Sequence, residues 1–235
     1  MNLAHGLERC RTFIDTQLQP AGKGLTSTEN GKLWRAVTIS RQTGSGAHIV
    51  AEKLAANLQA HTSKDARPWT VFDRNLVEKV LEDHNLPQRL ARFMPEDKVS
   101  EIADTMDELF GLHPPSWTLV RQTADTILRL VELGNVIVIG RGATVITGKL
   151  DHVFHVRLVG SLDKRVAHIQ ELHRLSKEAA SDLIRQEDRG RQRYLKEHFK
   201  ADIDDPLLYH LVINTDLVPY ETAARIIAQA MLKRD

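Results

Sequence analysis

The sequence predicts a three-layer α/β protein, with helices on both faces of a central, mostly parallel five-stranded sheet. Three observations carry this. Short β-branched or apolar runs alternate with stretches of helical periodicity, the pattern of a doubly wound fold. Runs such as Val136-Ile137-Val138-Ile139 are apolar without interruption, as strands covered on both faces must be. A glycine-rich stretch, Gly44-Ser45-Gly46, joins the first strand of the alternation to its first helix.

The expected strands are Ala36–Ser40, a weaker Thr70–Phe72, Asn135–Gly140, Val153–Val159 and Leu211–Asn214. Helical periodicity fits Ile49–Leu58, Trp117–Leu133, Leu162–Leu175 and Glu221–Leu232. Gly134 is placed to stop the second of these, and Pro219 suits the start of the last. Residues 1–34 read as a leader: a helix over Leu3–Leu18, then Pro20 and a linker rich in Gly, Ser, Thr and Asn. The main domain is expected to span 35–235. Within it, 75–115 is helical in pattern and carries no strand signal, which suggests a helical insertion over the sheet.

Composition narrows the function. With 42% hydrophobic and 27% charged residues in 235, the chain is an ordinary globular one. Lys+Arg 32 against Asp+Glu 31 gives a net charge of +1, which argues against a nucleic-acid coat or a polybasic membrane binder. A local basic pocket for a small polyanion is still allowed. Cys10 is the only cysteine, so neither an intrachain disulfide nor a cysteine metal cluster is available. The eleven histidines show no ligand spacing, and no metal site made of protein ligands is expected. No run approaches a membrane span, and the start lacks a signal-peptide core, so a cytoplasmic protein is expected.

The chemistry is concentrated at a few turns. In Arg41-Gln42-Thr43-Gly44-Ser45-Gly46-Ala47-His48, a strand passes through glycines into a helix, so backbone N–H groups and the positive helix end can converge on an anion. Against a full G-x-x-x-x-G-K-[ST] loop aligned on Gly46, Arg41 replaces the first glycine, Ala47 the lysine and His48 the hydroxyl residue. A Thr one place later would also serve, but Ile49 stands there. Asp73-Arg74 follows a strand, where ligands collect in α/β folds, although Asp73 also fits a helix cap. Arg141, in a Gly-Arg-Gly turn beyond Val136–Ile139, can present a bidentate fork to phosphate. From Arg185 to Lys200 there are six basic and three acidic residues. Arg185, Arg189 and Arg193 recur every four residues, which puts them on one helix stripe, either a phosphate clamp or a solvated face.

Taken in order, these stretches resemble the cytidylate kinase-like family. The loop is similar to that family's S-R-x-x-G-S-G-G pattern, and the likeness continues through Phe72-Asp73-Arg74, Val138–Ala143, Arg185–Arg193 and Leu211–Asp216. The resemblance spans about 35–233. It implies a P-loop kinase fold with an acceptor-side helical insertion at 75–115 and a lid near 185–205. It further implies ATP as phosphoryl donor, Mg2+ as its companion, and a nucleoside monophosphate as acceptor, with CMP a candidate.

In that scheme Arg41, Thr43, Gly44, Ser45, Gly46, Ala47 and His48 hold nucleotide phosphates, while Arg74 and Arg141 hold the acceptor. Asp73 binds metal through water or takes the acceptor's proton. Arg189 and Arg193, with Arg185, close over the transferring group. The expected partners are nucleotide substrates, with neither nucleic acid nor membrane, and a homodimer is allowed. Ala47 and Ile49 favour another reading, a nucleotide-binding sensor or regulator that transfers nothing, and a kinase of another small metabolite on the same scaffold is a third, since resemblance fixes fold better than acceptor.

Overall fold

The computed structural model describes residues 34–62, 67–73, 96–110 and 118–232. The expected helix at Leu3–Leu18, Arg74, Trp117 and much of the 75–115 insertion lie outside the described residues. Five strands appear among those described: β1 (Ala36–Arg41), β2 (Thr70–Phe72), β3 (Val136–Ile139), β4 (Val153–Val159) and β5 (Leu211–Asn214). They form one sheet of order β2-β3-β1-β4-β5, and every pairing is parallel. The apolar runs therefore mark the strands. The expected β3 ends, Asn135 and Gly140, drop out because both take left-handed backbone, with φ of 55° and 80°.

Strand alternation splits the core in two. Val37, Ile39, Ile137, Ile139, Phe154, Val156 and Leu158 face α1 (Ala47–Ala60) and the terminal α7 (Tyr220–Leu232). Ala36, Val136, Val138 and Val153 face the other way, onto α2 (Glu96–Phe110), α3 (Thr118–Leu133) and the short α4 (Ala143–Ile146). Gly134, with φ of 79°, ends α3 as its position predicts. Trp34 is a packing residue, its ring edge-on to Phe154 at 5.0 Å.

The second face carries a polar seam. Thr38 Oγ1 lies 2.8 Å from His155 Nδ1 and 3.1 Å from Thr144 Oγ1, all three side chains buried.

After β4 the expected helix over Leu162–Leu175 is present as α5 (Leu162–His173), two residues shorter, and the arginine stripe lies on a separate helix, α6 (Lys177–Phe199). Arg174 turns left-handed at φ 55°, and Ser176 restarts the chain by accepting a hydrogen bond from the Ala179 N–H. The pair has its own small core of Val166, Ile169, Ala180 and Ile184. At about 1.5–3 kcal/mol for each fully buried side chain, that core is a modest anchor beside the two main layers. Polar contacts supply the rest of the attachment.

Candidate active site

All strands end at the same edge, so the loops after β1 and β3, neighbours in the sheet, open side by side. After β1 the chain makes a tight turn: the Ser45 N–H and hydroxyl both donate to the Gln42 carbonyl, at 3.2 and 2.8 Å. Gly44 and Gly46 take φ of 85° and 78°. Packing demands glycine here too. A Cβ on Gly44 would sit 2.7 Å from the Arg165 carbonyl, and one on Gly46 would strike the Tyr220 ring. Gly46 caps α1 without any side-chain bond, which leaves the positive helix end uncapped by side chains.

The outer side of this loop is tied to α6. Asp188 Oδ1 accepts from the Thr43 N–H at 2.8 Å and from its hydroxyl at 2.7 Å. Two arginines hold the carboxylate from either side: Arg165 Nη1 at 2.7 Å from Oδ2, and Arg191 Nη1 at 2.9 Å from Oδ1. Arg165 also donates to the Thr43 and Gly160 carbonyls, and Arg191 to the Thr43 hydroxyl and Glu187.

After β3, Gly140, Arg141 and Gly142 are all left-handed, with φ of 80°, 57° and 71°. For an arginine this is a strained backbone, of the kind that clusters at ligand sites. Between this turn, the end of β1 and α6 lies a cleft of about 790 Å³. Its walls include six arginines among the described residues: Arg41, Arg141, Arg185, Arg189, Arg191 and Arg193. Asp182 and Glu187 are the acids among its lining, and Arg185 reaches Asp182 at 3.7 Å. Tyr194 and Tyr209 also line it. Burial pushes both phenols up, with Arg141 opposing this at Tyr194 and the Ser40 hydrogen bond opposing it at Tyr209.

The structure thus gathers Arg41, Arg141, Arg185, Arg189 and Arg193 around one space. Thr43, Gly44, Ser45, Gly46, Ala47 and His48 do not line it, and neither does Asp73. Asp73 instead lies 4.0 Å from His48 Nδ1, at the end of β2. Burial lowers the His48 pKa, and the Asp73 charge opposes that shift. Among the described residues no three His, Cys, Asp or Glu side chains converge as a metal site. None of the described helices is long and apolar enough to cross a membrane.

Sequence spacing alone does not single out Asp188, Arg191, Arg165, Arg157 or Asp204. A signal existed for the first two. The apolar stripe of α6, Ala180, Ile184 and Leu195, passes directly through Asp188 and Arg191, so two charged groups sit on a face meant for burial. Arg157 is likewise a charge inside the apolar run of β4. It is buried, pairs with Asp204 and donates to Ser40 Oγ at 2.9 Å. Asp204-Asp205-Pro206 makes a turn that Asp205 caps, and Asp204 is also that ion-pair partner.

A model of the cytidylate kinase-like family matches residues 36–217. The chain belongs to that family. This cytidylate kinase-like protein, with its all-parallel sheet and glycine loop, has the P-loop kinase fold. An uncharacterized protein from Eubacterium ventriosum superimposes on it with a TM-score of 0.66 at 19% identity, over 86% of this chain and 99% of that one. A shikimate kinase from Bacteroides thetaiotaomicron gives 0.47 at 12% identity, over 85% of this chain and 99% of that one. A uronate isomerase from Corynebacterium glutamicum is 27% identical over 116 residues, 49% of this chain. The match covers 22% of that protein's length. Family membership supports a nucleotide-kinase-like function.

Proposed function

We propose that this protein is a nucleotide-dependent phosphotransferase that moves a phosphoryl group from ATP to a nucleoside monophosphate, with CMP the first acceptor to test. The observation that carries this reading is the arginine-walled cleft between the loops after β1 and β3 and helix α6. Phosphoryl transfer asks a protein mainly for positioning and charge neutralisation, and a convergent set of guanidinium groups supplies both. In this reading the glycine loop and the uncapped end of α1 hold donor phosphates. Arg141, across the cleft on the β3 turn, holds the acceptor together with Arg74. Arg185, Arg189 and Arg193 close over the reacting group from α6.

Mg2+ usually takes only one or two protein carboxylates beside phosphate oxygens and water. A carboxylate at the end of a strand fits that demand, and Asp73, directly after β2, supplies one. When bound, the ion would neutralise charge on the donor phosphates. Asp73 would orient it, and His48 would position the Asp73 carboxylate.

Ala47, in the place of the phosphate-gripping lysine, favours a second reading: a protein that binds nucleotide and transfers nothing. Labelled ATP and GTP tested against a panel of nucleoside monophosphates separates the two. ADP formation that depends on one acceptor supports the first. Tight binding without turnover supports the second, and absence of nucleotide binding overturns both.

A further inference from the structure

We propose that Arg41 is the phosphate-contacting cation of this site, taking over from the end of β1 the task that the missing loop lysine performs elsewhere. The inference rests on the phosphotransferase reading above and specifies one residue within it.

Position comes first. Arg41 is the last residue of β1, paired in register with Leu158 on one side of the central strand. On the other side its guanidinium lies against the Gly140 Cα, where any side chain at 140 would collide with it. The group therefore sits where the loops after β1 and β3 meet, and it lines the cleft. The loop lysine would stand at Ala47, at the start of α1, a position that does not line the cleft. Arg41 reaches it from the strand.

Its surroundings are those of a binding group and not of a structural one. A guanidinium offers five N–H donors, and a structural arginine spends them on carboxylates and carbonyls. Arg165 and Arg157 do so here. Among the described residues, no hydrogen bond or ion pair reaches the Arg41 side chain. Its charged neighbours are mixed: Arg191 and Arg141 repel it, while Glu187 and Asp73 attract it from beyond ion-pair range. Half-burial and the two like charges bring its pKa down to about 10, with desolvation the larger cause and Glu187 and Asp73 opposing. The residue stays charged at neutral pH, but at a cost to the folded chain. An anion between Arg41 and Arg141 would satisfy the idle donors of Arg41 and relieve the repulsion together.

This arrangement predicts opposite effects on stability and binding, which a packing role would not give. Inorganic tripolyphosphate, a mimic of the donor phosphates, is the probe, with thermal melting and titration calorimetry on the full chain. Replacing the charge with Arg41→Met should raise the melting temperature of the ligand-free protein by about 2–4 °C and weaken tripolyphosphate binding at least about tenfold. Should that variant fail to fold, Arg41→Gln keeps a polar head in the cleft and carries the same two expectations. A folded variant that binds tripolyphosphate as tightly as the parent would overturn the assignment of Arg41 while leaving the phosphotransferase reading intact. A parent protein that binds neither tripolyphosphate nor ATP would overturn both.

Discussion

The Asp188 carboxylate of α6 receives both the backbone N–H and the hydroxyl of Thr43, at 2.8 and 2.7 Å. The helix expected to act as a lid is therefore already bonded to the glycine loop, and Arg165 and Arg191 brace that bond. Charge-assisted hydrogen bonds of this kind contribute about 1.5–3 kcal/mol each when partly shielded. Asp188→Asn should cost about 1–3 kcal/mol in urea unfolding, and Thr43→Val about 1 kcal/mol. The double variant should lose less than the sum, because both changes break one contact. Additive losses would mean that Asp188 works through its arginines alone.

Arg141 offers a way to separate strain from chemistry. Its φ of 57° suits glycine, and Arg141→Gly should stabilise the fold by about 1 kcal/mol. The same change removes the guanidinium from the cleft. With an active acceptor, both Arg141→Gly and Arg141→Ala should raise the acceptor KM about tenfold or more, with donor affinity nearly unchanged. An equal loss of ATP affinity by calorimetry would assign Arg141 to the donor side instead.

The exposed stripe Arg185, Arg189 and Arg193 should matter to turnover more than to binding. These side chains line the cleft but are largely solvated, so they make few ground-state contacts. Arg189→Ala and Arg193→Ala are expected to cut phosphoryl transfer by about tenfold or more while changing nucleotide Kd by less than about twofold. Kinetics matching the parent would identify the stripe as a solvated helix face.

His155 makes stability depend on pH. Burial, with His210 beside it, lowers its pKa to about 4 in the folded chain, against about 6.5 when unfolded. The unfolded state therefore takes up the proton first, and stability rises with pH across that window. At pH 7 the neutral ring costs nothing; as pH falls from about 6.5 towards 4, up to about 3 kcal/mol should be lost. Urea unfolding between pH 7 and 4.5 checks the slope, and His155→Gln should flatten it. A slope unchanged by that substitution would place the titration elsewhere, with His48 the next candidate.

The sheet was readable in the chain because parallel strands covered on both faces leave unbroken apolar runs, as at Val136–Ile139 and Val153–Val159. The break between α5 and α6 was readable to within two residues, where the periodicity stops at Leu175, but nothing in the side chain of Arg174 announces the left-handed backbone that makes it. At the site, spacing found the stripe of arginines that lines the cleft. It could not tell which arginine turns toward the loop, because Arg191 and Thr43 are 148 residues apart. The rotation of α6 is set by its packing on Val166 and Ile169 of α5, a tertiary fact. Gly46 was readable as a place of close approach, but its neighbour, the Tyr220 ring, comes from the far end of the chain.

The buried contact of Thr38 with His155 also works as a key for alignment. Parallel pairing sets these two residues opposite each other, flanked on β4 by Phe154 and Val156. Sliding β1 by one residue in either direction would press the Thr38 hydroxyl against an apolar neighbour and strand the imidazole, at a cost of about 1–3 kcal/mol for each group left unsatisfied. It would also exchange the two faces of β1, carrying Arg41 away from the cleft and burying Thr38 among the side chains of α1. A polar contact that touches no ligand thus dictates which way the last residue of the strand points. Thr38→Val would remove the key while keeping the shape, so its harm should appear as heterogeneity at the strand end before any loss of the fold.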